Sequence, residues 1–183
     1  MPLRRRQLLQ LAGAGAGSGA CWLLGQRQQA SAAASSSPDL RLGLISDLNS
    51  SYGSTTYIPQ VSRGLQQQLA LQPALVVCAG DMVAGQKRGL SASQLDGMWE
   101  SFARTVLAPV RQAGVPFLPA VGNHDGSPGF AADRAAVRRF WTPRLQALGL
   151  RFVDAGDFPF HYSALQNDVF WLVWDASSGR IPS

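Results

Sequence analysis

From residue 40 onward, short apolar runs that stop at polar clusters alternate with longer stretches in which apolar positions recur at helical spacing. Leu40 to Ser46 is a short, mostly apolar run ending at Asp47, and it predicts a strand. Pro59 to Leu71 carries Val61, Leu65 and Leu69 at helical spacing with glutamines on the other faces, which predicts a helix. After the Gln72-Pro73 break, Leu75 to Ala79 is continuously apolar and stops at Gly80-Asp81, the pattern of a strand buried on both faces. Ser91 with Gln94 makes a capping-box signature for the next helix, whose inner face carries Leu95, Met98, Trp99, Phe102 and Val106. Val115 to Val121 predicts a further strand, ending at Gly122-Asn123-His124-Asp125. Ala131 to Leu148 predicts a helix with Val137, Phe140 and Trp141 inward and Arg138 and Arg139 outward. Phe158 to Leu165 and Val169 to Trp174 flank Gln166-Asn167-Asp168, a hairpin signal.

The order is therefore β-α-β-α-β-α followed by a hairpin, with no internal repeat, which argues for a layered α/β fold with a largely parallel first half. In such sheets ligands bind beyond the carboxyl ends of the strands. Three strands end there in polar clusters, so that edge is where chemistry is expected.

Composition changes the picture mainly through where the charge lies. The 183 residues are 46% hydrophobic and 15% charged, which excludes a wholly disordered chain, and two cysteines exclude a disulfide-stapled scaffold. A net charge of +5 suggests a nucleic-acid or membrane-surface partner. Yet Arg4, Arg5, Arg6 and Arg27 lie in the first 32 residues, which hold no acid, leaving twelve basic against eleven acidic residues in the rest. The basicity belongs to a leader, and no specific nucleic-acid partner is expected.

Residues 1–32 read as that leader: a cationic start, a weakly apolar stretch from Leu8 to Leu24, and the small-x-small site Ala30-Ser31-Ala32. Arg5-Arg6-Gln7-Leu8-Leu9 resembles the twin-arginine (Tat) export signal, which implies export to the periplasm or another extracytoplasmic space. Membrane contact is then limited to the signal, with an uncleaved anchor as the competing reading. Residues 33–38 are a small-residue linker, and residues 39–183 form the domain.

The three strand-end clusters are Asp47-Leu48-Asn49, Gly80-Asp81-Met82-Val83 and Gly122-Asn123-His124-Asp125. Two aspartates and an asparagine delivered by neighbouring strand ends can converge on one hard cation, which prefers oxygen ligands. In this order and context the sequence resembles the calcineurin-like metallophosphoesterase superfamily, whose pattern runs Asp-x-His, Gly-Asp, Gly-Asn-His-Asp/Glu, a lone His, then Gly-His-x-His. The resemblance covers about residues 40 to 176, including the closing run Phe170 to Asp175. Gly-Asn-His-Asp is its specific element. It implies an α/β fold, a layered α/β/β/α sandwich of the metallophosphoesterase type.

It further implies a phosphoester substrate and two divalent metal ions, Mn, Fe or Zn, with in-line attack on phosphorus by a metal-bound hydroxide. By motif, Asp47 would bind the first metal, Asp81 would bridge both, Asn123 would bind the second, and His124 would act as general acid. Asn49 stands where the family usually has His and is open between metal ligand and Asx-turn former. The tyrosine that replaces that histidine in purple acid phosphatases is Ala84 here, while Tyr52 and Tyr57 are candidates to reach inward. The only histidines are His124 and His161, so the three of the last two motifs are absent, and the resemblance implies an incomplete version of the domain. Little or no activity is expected of the 183-residue chain, and apolar strand edges are expected to be exposed. The competing reading is a non-catalytic binding module or decayed gene product.

Plainer roles stand beside these. Asp47 and Asp81, taken singly, are ordinary turn or cap residues, and only their order with Gly122 to Asp125 reverses this. His161 reads as a hairpin side chain, Cys78 as a buried hydrophobe, and Asp175 as a turn residue. Trp99, Trp141, Trp171 and Trp174 read as packing or interface residues.

Overall fold

The computed structural model describes residues 40–178; the leader and linker expected over residues 1–38 lie outside the described residues. Strand β1 (Leu42–Ile45) leads through a long loop to helix α1 (Pro59–Ala70), and β2 (Leu75–Cys78) comes next. Pro59 at the start of α1 fixes a helical φ where no N–H partner is needed. Helix α2 (Ala92–Phe102) begins at Ser91, whose side chain accepts from Gln94 N while the Gln94 side chain accepts from Ser91 N, so the capping box is formed. It runs on through a π-helical stretch (Ala103–Leu107) into α3 (Ala108–Gln112) and then β3 (Phe117–Pro119). Beyond it lie a single turn α4 (Asn123–Gly126), α5 (Ala131–Trp141), and the strands β4 (Phe152–Asp157), β5 (His161–Gln166) and β6 (Val169–Trp174).

The strands form two sheets. One is parallel in the order β1-β2-β3, the other antiparallel in the order β4-β5-β6. β2 is central, with Val76 facing Gly43 on one side and Phe117 on the other, which explains its unbroken apolar run. α2 and α5 pack together through aromatic rings. Trp99 stacks on Phe140 at 4.8 Å, and Phe117 of β3 stacks on Trp141 at 6.0 Å. Phe158, Phe160, Tyr162 and Val173 join the same buried core, and the Tyr162 hydroxyl donates to Pro119 O, tying the second sheet to the first. This is the mixed α/β architecture that the patterning predicts.

Four boundaries differ from expectation. β3 is three residues rather than seven, and it starts late because Val115 N turns back to Val110 O and Pro116 has no N–H for a ladder. The helix expected to reach Leu148 ends at Trp141 and continues as a 3₁₀ stretch (Thr142–Leu148), since Pro143 cannot donate to the preceding turn; Gly149, at φ 68°, closes it. β4 is a strand that the patterning does not predict. The first hairpin strand starts at His161 rather than Phe158, because Phe158 to Phe160 form the β4–β5 turn, with Phe160 N donating to Asp157 O. Asn167 and Asp168, at φ 53° and 60°, make the two-residue turn between β5 and β6.

Candidate active site

The parallel sheet delivers its three loops to one edge. Asp47 and Asp81, each two or three positions past the end of its strand, both adopt the left-handed conformation, at φ 52° and 53°. Aspartate tolerates this region better than most residues, and equal turns on parallel neighbours carry both segments off the sheet in step. The first loop is pinned to the second by backbone bonds: Asp47 N to Gly80 O at 3.2 Å, Leu48 N to Asp81 O at 3.0 Å and Asn49 N to Asp81 O at 3.3 Å.

The third loop is held closer still. A Cβ on Gly80 would lie 2.8 Å from Gly122 Cα, and one on Gly122 would lie 2.2 Å from Asp81 Oδ1. Only glycines let these backbones approach so near. His124 N donates to Asp81 Oδ1 at 2.9 Å, and the Ser46 hydroxyl donates to Asp47 Oδ2. Asp81 thus links all three loops. The Asn123 amide nitrogen lies 3.4 Å from Gln86 Oε1. Asn49 comes to this junction through its backbone.

Two buried carboxylates hold these loops in a way that the sequence does not announce. Asp125 accepts from Val83 N and Gly122 N, both at 2.9 Å, clamping the second loop to the third. Burial pushes its pKa up to about 7, with the charge of Asp81 adding and the backbone donors opposing. Asp133, in the first turn of α5, accepts from Gln86 N at 2.6 Å; burial raises its carboxyl pKa, and that bond opposes the rise. A Cβ on Gly85 would meet His124 O at 2.4 Å, another contact that excludes a side chain. The Tyr57 hydroxyl donates to Met82 O at 2.6 Å, so this tyrosine supports the second loop; burial raises its pKa. Tyr52 instead lies with its ring 5.1 Å from the His124 imidazole, at 30°.

His124 Nδ1 is buried and has no hydrogen-bond partner, while Nε2 makes no hydrogen bond to a described residue. The remaining candidates lie apart from this edge. His161 Nδ1 accepts from Asp175 N, and its Nε2 is 3.8 Å from Asp157 Oδ2, both within the second sheet and its end. Asp175 is buried and ion-paired with Arg134 at 2.6 Å. Cys78 is buried in β2, its pKa pushed up to about 12 by that burial. Among the described residues no group of three or more His, Cys, Asp and Glu side chains could hold a metal ion. By type, the side-chain oxygens of Asp47, Asn49, Asp81 and Asn123 are those that a hard cation prefers, rather than one that needs imidazole or thiolate.

No curated protein matches the chain. Residues 40–177 match the family model of the calcineurin-like phosphoesterases, from the entry into β1 to the turn after β6, and so include all three strand-end loops. Members of that family are generally phosphoesterases and typically bind two divalent metal ions. The chain belongs to the calcineurin-like phosphoesterase family.

Proposed function

We propose that the strand-end junction is the phosphoryl-binding half of a metal-dependent phosphoester hydrolase. The observation that carries the reading is Asp81: one residue in a left-handed turn whose carbonyl holds the first loop and whose carboxylate holds the third. Asp47, Asp81 and Asn123, joined by Asn49, would supply the oxygen donors for a divalent ion. When bound, such an ion neutralises phosphoryl charge and acidifies water at that edge. The family's two-metal centre needs histidines that these 183 residues do not contain, so the chain alone is expected to hold one ion weakly, Mn²⁺ being the first to test, and to turn over slowly or not at all.

His124 is the general acid in this reading. Its Nε2 makes no hydrogen bond to a described residue, so as an imidazolium the ring would pass the Nε2 proton to the leaving oxygen and be left neutral. Tyr52 against the ring and the backbone N–H to Asp81 hold the imidazole at the edge. Export through a twin-arginine-type route is part of the same proposal and rests on Arg5-Arg6 and Ala30-Ser31-Ala32.

Titration with Mn²⁺, followed by hydrolysis of a generic phosphodiester, tests the reading. Asp81→Ala should weaken the metal by about tenfold or more, one lost carboxylate ligand, and should abolish any turnover. His124→Ala should abolish turnover while leaving metal affinity within about twofold. Turnover retained in either variant overturns it. A second reading, a binding module that has lost catalysis, is favoured by the small number of metal-capable groups among the described residues. It predicts no Mn²⁺ binding that Asp81→Ala weakens, and no hydrolysis.

A further inference from the structure

Beside the strand-end junction lies a groove of about 540 Å³ lined by Ser51, Tyr52, Gln86, Lys87 and Arg88. It touches the site twice: Tyr52 lies against His124, and Gln86 reaches the Asn123 amide. Tyr52 is 53% exposed, so its ring is only partly covered by that contact. Lys87 and Arg88 are exposed, and neither makes an ion pair or hydrogen bond with a described residue. Arg134, Arg138, Arg139 and Arg144, by contrast, are each ion-paired to a carboxylate. The loop that presents the two cations is fixed rather than slack. Gln86 takes a left-handed φ of 62°, and its N–H is held by buried Asp133.

An aromatic face and two uncommitted cations call for a ligand with a flat ring and a negative charge. Rings stack on tyrosine with little regard to their identity, and guanidinium and ammonium groups bind phosphoryl oxygens by charge-assisted hydrogen bonds. The groove is shallow and open to solvent, so a ligand there would be held by these side chains rather than by enclosure. We propose that this groove receives the leaving-group side of the substrate, and that the substrate class is a nucleotide-like phosphoester carrying a second phosphate. The proposal rests on the phosphoesterase reading for the position of the scissile phosphate. The groove itself is built by residues that the reading does not use for metal or acid chemistry, Tyr52 being the one that also touches His124.

Calorimetric titration of the full chain with ADP, in the presence of a chelator, isolates the groove from any metal at the strand ends. Adenosine and inorganic pyrophosphate serve as the probes for ring and charge alone. ADP should bind at least about tenfold more tightly than either. Lys87→Ala with Arg88→Ala should weaken ADP about tenfold or more, one charge-assisted hydrogen bond per cation, and leave adenosine unchanged. Tyr52→Leu should weaken ADP and adenosine together and leave pyrophosphate unchanged. The inference is overturned if wild type fails to bind ADP, or if the double variant binds it as wild type does. ADP binding that requires Mn²⁺ and Asp81, yet ignores Lys87 and Arg88, would also overturn it while leaving the phosphoesterase reading standing. Metal-independent binding that survives Asp81→Ala but fails in the double variant would uphold the groove even where hydrolysis is absent.

Discussion

The two sheets of this protein are stabilised in different ways. The parallel sheet has strands of four, four and three residues, and the loops leaving those strands are fixed by single contacts: Asp81 to His124, Asp125 to Val83 and Gly122, Asp133 to Gln86. The antiparallel sheet has three strands of six residues, and β5 and β6 pair in unbroken register from His161–Trp174 to Gln166–Val169. Its outward side chains Phe170, Leu172 and Trp174 are exposed. A ladder spreads its stability over many equivalent bonds, so no one residue is decisive. A set of loops held by individual carboxylates and glycines concentrates it, and the atoms so fixed are those a reaction needs in one place.

The sharpest way to break this contrast is Gly122→Ala. The residue's φ of −92° suits any side chain, so the cost is spatial: the new methyl would overlap Asp81 Oδ1 and N. Relief requires separating the second and third loops, which would pull the Asp125 clamp apart as well. A loss of about 3 kcal/mol in urea unfolding is expected, at the upper end for overpacking. Faster amide exchange at residues 81–86 and 122–126, with the second sheet unaffected, would locate it. A loss below about 1 kcal/mol would mean that these contacts do not hold the loops together.

Arg134→Met comes next, because this side chain joins the two regions. Its guanidinium donates to Gly126 O at 2.7 Å and to Asp175 Oδ2 at 2.6 Å, and lies 3.8 Å from the centroid of the Phe160 ring. Methionine keeps the apolar stem but removes the cation facing a buried carboxylate. Because Arg134 is a quarter exposed and its charge partly screened, the expected loss is about 2 kcal/mol rather than the larger cost of a fully buried pair. Urea unfolding of the variant beside wild type measures it.

Much of this was legible in the sequence, and the remainder has physical causes. Apolar runs that stop at Asp47, Asp81 and Asn123 announced both the strands and the edge where they end, because burial of a central strand leaves a continuous signal. The clamps did not announce themselves. Asp125 reaches Val83 across 42 positions, and Asp133 reaches Gln86 across 47; in the sequence Asp133 is only an acid in the first turn of a helix. β4 escapes the patterning because Asp154, Gly156 and Asp157 interrupt its apolar run and its pairing with β5 shifts register twice. The late start of β3 and the early end of α5 are legible in Pro116 and Pro143, which have no N–H to give. The Lys87-Arg88 groove needed the loop's turn at Gln86 before its two cations could be placed beside Tyr52.

The smallest expected effect lies on the second sheet. Leu172 is 60% exposed, sits opposite Ser163 in the β5–β6 ladder, and shares its outward face with Phe170 and Trp174. Replacing it with serine removes little buried area and no ladder hydrogen bond, so Leu172→Ser should change unfolding free energy by less than about 0.5 kcal/mol. The same substitution shrinks an exposed apolar patch, and light scattering should show less self-association at equal concentration. Stability lost by more than about 1.5 kcal/mol would mean that this face is covered in solution, and that the ladder is not what holds the second sheet. An unchanged stability alongside a large loss in Gly122→Ala would place the protein's vulnerability at the strand-end junction, in the few atoms that bring Asp47, Asp81 and His124 together.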